Sequence, residues 1–110
     1  MRVNVKRVAA AWREGREDRR EQSVWTDGRA IYSYGTCLVA PLASGRVVLN
    51  VTKYSVTTSN KQSGLRVALH GLIAAEVDGL DYGARPHHIV EKANTLEASA
   101  EYAARVLGEV

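Results

Sequence analysis

Apolar residues recur at Val5, Val8, Ala11 and Trp12, the spacing of one helical face, where the chain enters a stretch free of proline and rich in Ala, Arg and Glu. The pattern predicts a first helix over about Lys6 to Gln22. Its stripe stops at Trp12, because Gly15, Arg19 and Gln22 follow on the same side, so the first half should dock on a core and the second half project outward. The period then changes. Ser23-Val24-Trp25-Thr26 and Arg29-Ala30-Ile31-Tyr32-Ser33-Tyr34 flank Asp27-Gly28, the dipeptide best suited to the two positive φ angles of a tight type I′ hairpin turn. Trp25 is expected to pack between that hairpin and a helix. Gly35 interrupts a run that resumes as Thr36 to Ala40, which predicts one bent strand or two short ones. Pro41 ends it, the turn Leu42-Ala43-Ser44-Gly45 reverses the chain, and Arg46 to Val51 reads as the next strand.

Residues 23–56 are therefore expected to form an antiparallel sheet of three to four strands. Ser59 followed three positions later by Gln62 has the form of a capping box, which sets the start of a second helix near Asn60. Leu65, Ala68, Leu69, Leu72 and Ile73 give it one apolar face, so it should run over 59–76. Residues 77–86, with Gly, Asp and Pro86, read as a connection. A third, acidic helix over 87–108 carries a narrow seam of Ile89, Ala93, Leu96, Ala100, Ala103 and Leu107. A homodimer through Ile89-Ala93-Leu96-Ala100-Leu107 is the alternative to packing that seam within the chain. The class is α+β, with residues 1–110 a single domain.

Charge adds something the hydrophobic pattern does not show. The net charge of +3 divides unevenly: residues 1–22 hold seven Arg/Lys against four Asp/Glu, residues 23–75 five against one, and residues 76–110 three against seven. A basic surface facing nucleic acid or an acidic protein is one reading, and an acidic third helix that covers the basic part is the other. On the predicted first helix Lys6, Arg13, Arg16 and Arg20 share an arc. Lys53, Lys61 and Arg66 surround the hydroxyl-rich stretch before the second helix, where Ser59 and Asn60 would place free backbone N–H groups at the positive end of the dipole. Those seven cations are the candidate contacts for phosphates or an acidic partner. Solvated lysines around an ordinary helix cap are the competing account.

Chemistry beyond binding finds little support. Cys37 is the single cysteine and sits among apolar neighbours, so it reads as a buried inert thiol. His87-His88 point about 100° apart on a helix and lack further ligands at metal-site spacing. No nucleophile elbow, dinucleotide fingerprint or phosphate loop is present. Neither catalytic residues, a metal nor a cofactor is assigned. Without a run of about 18 apolar residues or a signal-peptide pattern, the chain is expected in the cytoplasm, away from membranes.

The blocks Val24-Trp25-Thr26-Asp27-Gly28, Ile31-Tyr32-Ser33-Tyr34 and Lys53-Tyr54-Ser55-Val56-Thr57-Thr58-Ser59 resemble a small domain of actinobacterial phages and haloarchaea over about residues 23–65. The resemblance implies a phage or mobile-element accessory protein, acting in the host cytoplasm, and brings no activity or site residues with it. The order helix, three strands, helix is also similar to double-stranded-RNA-binding domains, but only Asp27-Gly28 stands where that family has a longer minor-groove loop. The expected function is a non-enzymatic accessory protein that contacts nucleic-acid backbone. A protein-binding modulator of a host enzyme or defence complex is the alternative, and a small hydrolase ranks third.

Overall fold

A computed structural model describes residues 3–108, with side chains described within 4–97. In chain order the elements are α1 (Val3–Arg13), β1 (Trp25–Thr26), β2 (Ile31–Ser33), β3 (Thr36–Pro41), β4 (Val47–Asn50), α2 (Val56–Ala68), β5 (Ile73–Val77) and α3 (Pro86–Gly108). The strands form one sheet in the order β1-β2-β3-β4-β5, antiparallel through β4. The α+β class and the N-terminal helix are as expected. The sheet has five strands rather than three or four, because β5 joins it parallel to β4.

That fifth strand corrects the second helix. Leu72 and Ile73 fit its apolar spacing, yet α2 ends at Ala68 and Gly71, at φ 88, turns the chain back into the sheet. Both residues still pack on the core, as the start of a strand rather than the end of a helix. The unit β4-α2-β5 is the helical crossover that parallel neighbours require.

The first helix is also shorter than its composition predicts. The Arg16 amide bonds to the Ala11 carbonyl at 2.8 Å and the Gly15 amide to that of Trp12 at 2.9 Å, with Gly15 at φ 68. This is a Schellman stop, in which a glycine in the left-handed region satisfies the last carbonyls. Residues 16–24 then run back beside α1, where Asp18 exchanges two backbone hydrogen bonds of 3.0 Å with Thr26.

Two apolar layers sandwich the sheet. On one face Val5, Val8 and Ala9 of α1 and Leu65 and Leu69 of α2 meet Ile31, Leu38, Val39, Val47 and Leu49. On the other, Ile89 of α3 meets Cys37, Ala40, Val48 and Val77. Pairing of Ile31 with Val39 and Tyr32 with Cys37 leaves Leu38 as an extra residue in β3, which is why Leu38 and its neighbour Val39 belong to the same layer. Of the two expected arrangements around Gly35 the structure has the second: β2 and β3 are separate strands on either side of Tyr34-Gly35, and the bulge lies further on, at Leu38.

Asp27-Gly28 does lie in the β1-β2 connection, but the register Thr26 to Ile31 makes it a four-residue loop instead of a two-residue turn. Asp27 Oδ1 accepts from the amides of Arg29 and Ala30, and Thr26 Oγ1 accepts from Gly28, so side chains close a loop that backbone pairing does not. Gly28, at φ 91, is pressed against the α1 stop: a Cβ there would stand 2.7 Å from the Gly15 carbonyl oxygen.

Candidate functional site

The hydroxyl-rich stretch before α2 is largely structural. Ser55, not Ser59, caps the helix: its Oγ accepts from the Thr58 amide at 3.1 Å, and the first helical bond runs from Ser59 N to the Ser55 carbonyl. Ser59 and Asn60 therefore lie inside the first turns. Gln62, expected to close a capping box, is buried and donates to the carbonyls of Asn50 and Thr52. Ser-x-x-Gln has the right letters one turn too late, and an extended Ser55 at φ −157 takes the capping role.

The predicted cations do not form one surface. With α1 ending at Arg13, the arc of Lys6, Arg13, Arg16 and Arg20 breaks up, because Arg16 and Arg20 fall on the returning segment. Arg13 donates to the Ala68 carbonyl at the C-terminal end of α2, where positive charge is favoured. Arg16 pairs with Glu14 at 2.8 Å, and Arg19 pairs with Glu17. Arg66 makes a two-pronged contact with Glu76 at 2.8 and 3.0 Å; this draws the Glu76 carboxyl below its ordinary range and raises the Arg66 guanidinium. Lys61 is 2% exposed, with its ammonium 5.4 Å from the centre of the Tyr34 ring, so it cannot meet a phosphate at the surface. All of these cations except Lys61 are exposed; Arg20 lies 3.9 Å from Asp18.

Asp18 anchors the returning segment. Its side chain is 2% exposed and accepts from Arg7 Nε at 3.0 Å and from the Arg20 amide at 3.2 Å. Burial pushes its carboxyl up, but the Arg20 amide and the charges of Arg7 and Arg20 outweigh that, and the net shift is downward.

Beside these charges lies an end of the sheet that leaves aromatic rings outside. The β2-β3 connection is a two-residue turn, Tyr34-Gly35, with Tyr34 at φ 53, in the left-handed region that a bulky side chain normally avoids. Three contacts hold it there. The Tyr34 amide donates to the Gln22 carbonyl, its carbonyl accepts from Trp25 Nε1 at 2.7 Å, and its ring lies over Lys61. Trp25 itself does not sit beneath a helix as expected: it stacks on Tyr32 at 4.2 Å, with the Arg19 guanidinium on the indole at 4.5 Å. Arg19, Glu21, Gln22, Trp25 and Tyr34 line a cleft of about 300 Å³ beside the turn.

The same end gathers the 78–85 loop and the start of α2. Thr36 Oγ1 accepts from the Gly83 amide, the Cys37 amide donates to the Ala84 carbonyl, and the Leu80 amide donates to Thr52 Oγ1. The Tyr54 hydroxyl donates to the Asp81 carbonyl, while the Tyr82 hydroxyl donates to that of Tyr54 and the two rings lie 4.8 Å apart. Tyr34 is 61% exposed, Tyr82 74% and Val56 81%. None of these three was marked by the sequence as a site residue. Tyr34 reads as the end of a strand and Gly35 as the interruption after it, and Tyr82 lies in a connection whose glycines announce only a turn.

Cys37 is fully buried and its thiol is pushed up to about 12, mainly by burial, in keeping with an inert thiol. The His87 and His88 rings lie 4.0 Å apart, tilted by 44°, and His88 Nδ1 accepts from the Arg85 amide at the start of α3. Among the described residues no three His, Cys, Asp or Glu side chains are grouped to hold a metal, and no helix is long and apolar enough to cross a membrane. Ala100 and Leu107 of the expected dimer seam lie outside the described side chains. No family model, no curated protein and no solved structure matches the chain.

Proposed function

We propose that this chain is a non-enzymatic accessory protein, of the phage type its central blocks resemble, that binds another protein through the end of the sheet carrying Tyr34, Val56 and Tyr82. The observation behind this reading is the exposure of Tyr34 and Tyr82 on connections held by hydrogen bonds, with exposed Val56 at the start of α2. Large amphipathic rings fixed before binding lose little conformational entropy on contact, and such residues dominate protein interfaces. Exposed Lys53 and Arg20 lie on the loops flanking this end and suit a partner with acidic groups at the rim.

Nucleic acid is the second reading. Of its seven cations Lys61 is buried, while Lys6, Arg13, Arg16, Arg20, Lys53 and Arg66 are exposed but spread over α1, the returning segment, the loop before α2 and α2 itself, so no single continuous arc supports it. A pull-down from host extract, with and without nuclease, separates the two. The expected result is a protein band that survives nuclease and falls at least about tenfold when Tyr34→Ser and Tyr82→Ser are combined. Retention of DNA or RNA at about 50 mM salt that survives this pair of changes, but is lost with Lys6→Ala and Lys53→Ala, would return nucleic acid to first place.

A further inference from the structure

β5 ends the sheet, and no described strand lies on its outer side. A strand bonded to one neighbour offers the rest of its amides and carbonyls outward, where they act as a template for another chain. The Ile73 carbonyl is already taken, by Arg46 Nη2 at 3.1 Å, and the register skips Ala74 as a bulge. The Val77 carbonyl accepts from the Val51 amide at 2.7 Å, so Val77 and, two residues earlier, Ala75 turn their main-chain groups toward β4, and the groups left facing outward along the regular stretch are those of Glu76 and its next alternate neighbour, Asp78. A short, bulged edge discourages indiscriminate pairing, so whatever binds must also find contacts beyond the backbone.

Those contacts are present beside it. A groove of about 500 Å³ runs between β5 and α3, lined by Leu42, Val48, Ala75, Val77, Ala93 and Leu96. Ala75 and Ala93 are too small to fill it, and Leu96 on its wall is 48% exposed. Charge indicates the kind of segment that fits. Asp78 and Glu97 are exposed around the groove, Glu76 being paired with Arg66; its one cation, Arg46, is bonded to the Ile73 carbonyl, and residues 76–97 hold five acidic against two basic side chains.

We propose that the β5 edge accepts an added strand from another protein: an extended basic segment, apolar at alternate positions, whose main chain bonds to β5 and whose apolar side chains enter the α3 groove. This goes beyond the aromatic end and is read on different residues. The probe is a short acetylated peptide alternating lysine and valine, titrated into the isotope-labelled full chain while backbone amides are followed by NMR. Saturable shifts are expected at Glu76, Asp78 and Leu96, with Tyr34 and Tyr82 unmoved. The same peptide N-methylated at alternate residues keeps charge and apolarity but cannot complete the ladder, and should bind at least about tenfold more weakly. Leu96→Ser, at an exposed position, should also weaken binding without unfolding the chain. Equal binding of the methylated peptide would reduce the contact to charge attraction and overturn the proposal. So would shifts confined to the aromatic end, or no shifts up to about 1 mM peptide. Concentration-dependent dimerisation with the β5 amides protected would assign the edge to a second copy and equally overturn it.

Discussion

Around Asp18 the molecule takes charge inside, whereas around Tyr34 it leaves aromatic rings in water. In the first region Arg7 and the Arg20 amide neutralise a buried carboxylate that ties the returning segment to α1. In the second, ring edges face solvent while their hydroxyl, indole and main-chain groups are bonded to neighbouring loops. The difference separates charge that is used within the fold from apolar and aromatic side chains that are not covered by it. In the arginine-rich segment Arg7, Arg16 and Arg19 pair with acids of the same segment, whereas Tyr34, Val56 and Tyr82 stand exposed at the end of the sheet.

If Asp18 is structural in this sense, removing it should have the largest effect on stability. Asp18→Ala leaves the Arg7 guanidinium without its carboxylate partner and the Arg20 amide without an acceptor, and should cost about 3 kcal/mol in urea unfolding. The pH dependence follows from the downward shift. A carboxyl held below its unfolded value contributes stability in full above about pH 4, lost as pH falls through the lower folded value. Asp18→Asn should flatten that acid limb. A variant as stable as the wild type, with an unchanged acid limb, would make Asp18 a surface residue in energetic terms and end the contrast.

A middle-sized effect separates the real helix cap from the apparent one. Ser55→Ala removes the acceptor of the Thr58 amide and should cost about 1 kcal/mol, whereas Ser59→Ala, inside the helix, should change stability by no more than about 0.5 kcal/mol. The opposite ranking, measured by thermal unfolding, would move the start of α2 and with it the placement of Val56 on the exposed end.

The helix cap illustrates what the sequence could and could not disclose. Helical spacing located α1, α2 and α3, and alternation located β1 to β4, because both periods are imposed by burial on one side. The end of α1 was legible in Gly15, but the good helix formers Arg16 to Arg20 outweighed a single glycine in the composition. β5 was hidden because Ile73, Ala75 and Val77 follow a helix without a proline, and only the parallel pairing with β4 makes them a strand. The seven cations were visible as residue types. Which of them are bonded within the fold depends on partners distant in sequence, as with Arg13 and Ala68 or Arg66 and Glu76. Exposure of Tyr34 was likewise beyond reach, since a tyrosine in a strand-like run reads as core, and the connection that holds Tyr82 gave no sign of how its ring would be placed.

The smallest expected effect tests whether the aromatic end is a face or merely a poorly covered edge. Tyr34 occupies φ 53, a region that disfavours a bulky residue by about 1 kcal/mol, and its ring over Lys61 returns a similar amount. Asparagine tolerates the same backbone region, so Tyr34→Asn relieves strain as it removes the ring contact, and the two changes should nearly cancel. Stability should move by no more than about 0.5 kcal/mol, while capture of the protein partner falls several-fold. A loss above about 2 kcal/mol would mean that the ring's packing holds the fold despite its exposure. The turn would then belong with Asp18 among the structural parts, and Val56 and Tyr82 alone would have to carry recognition.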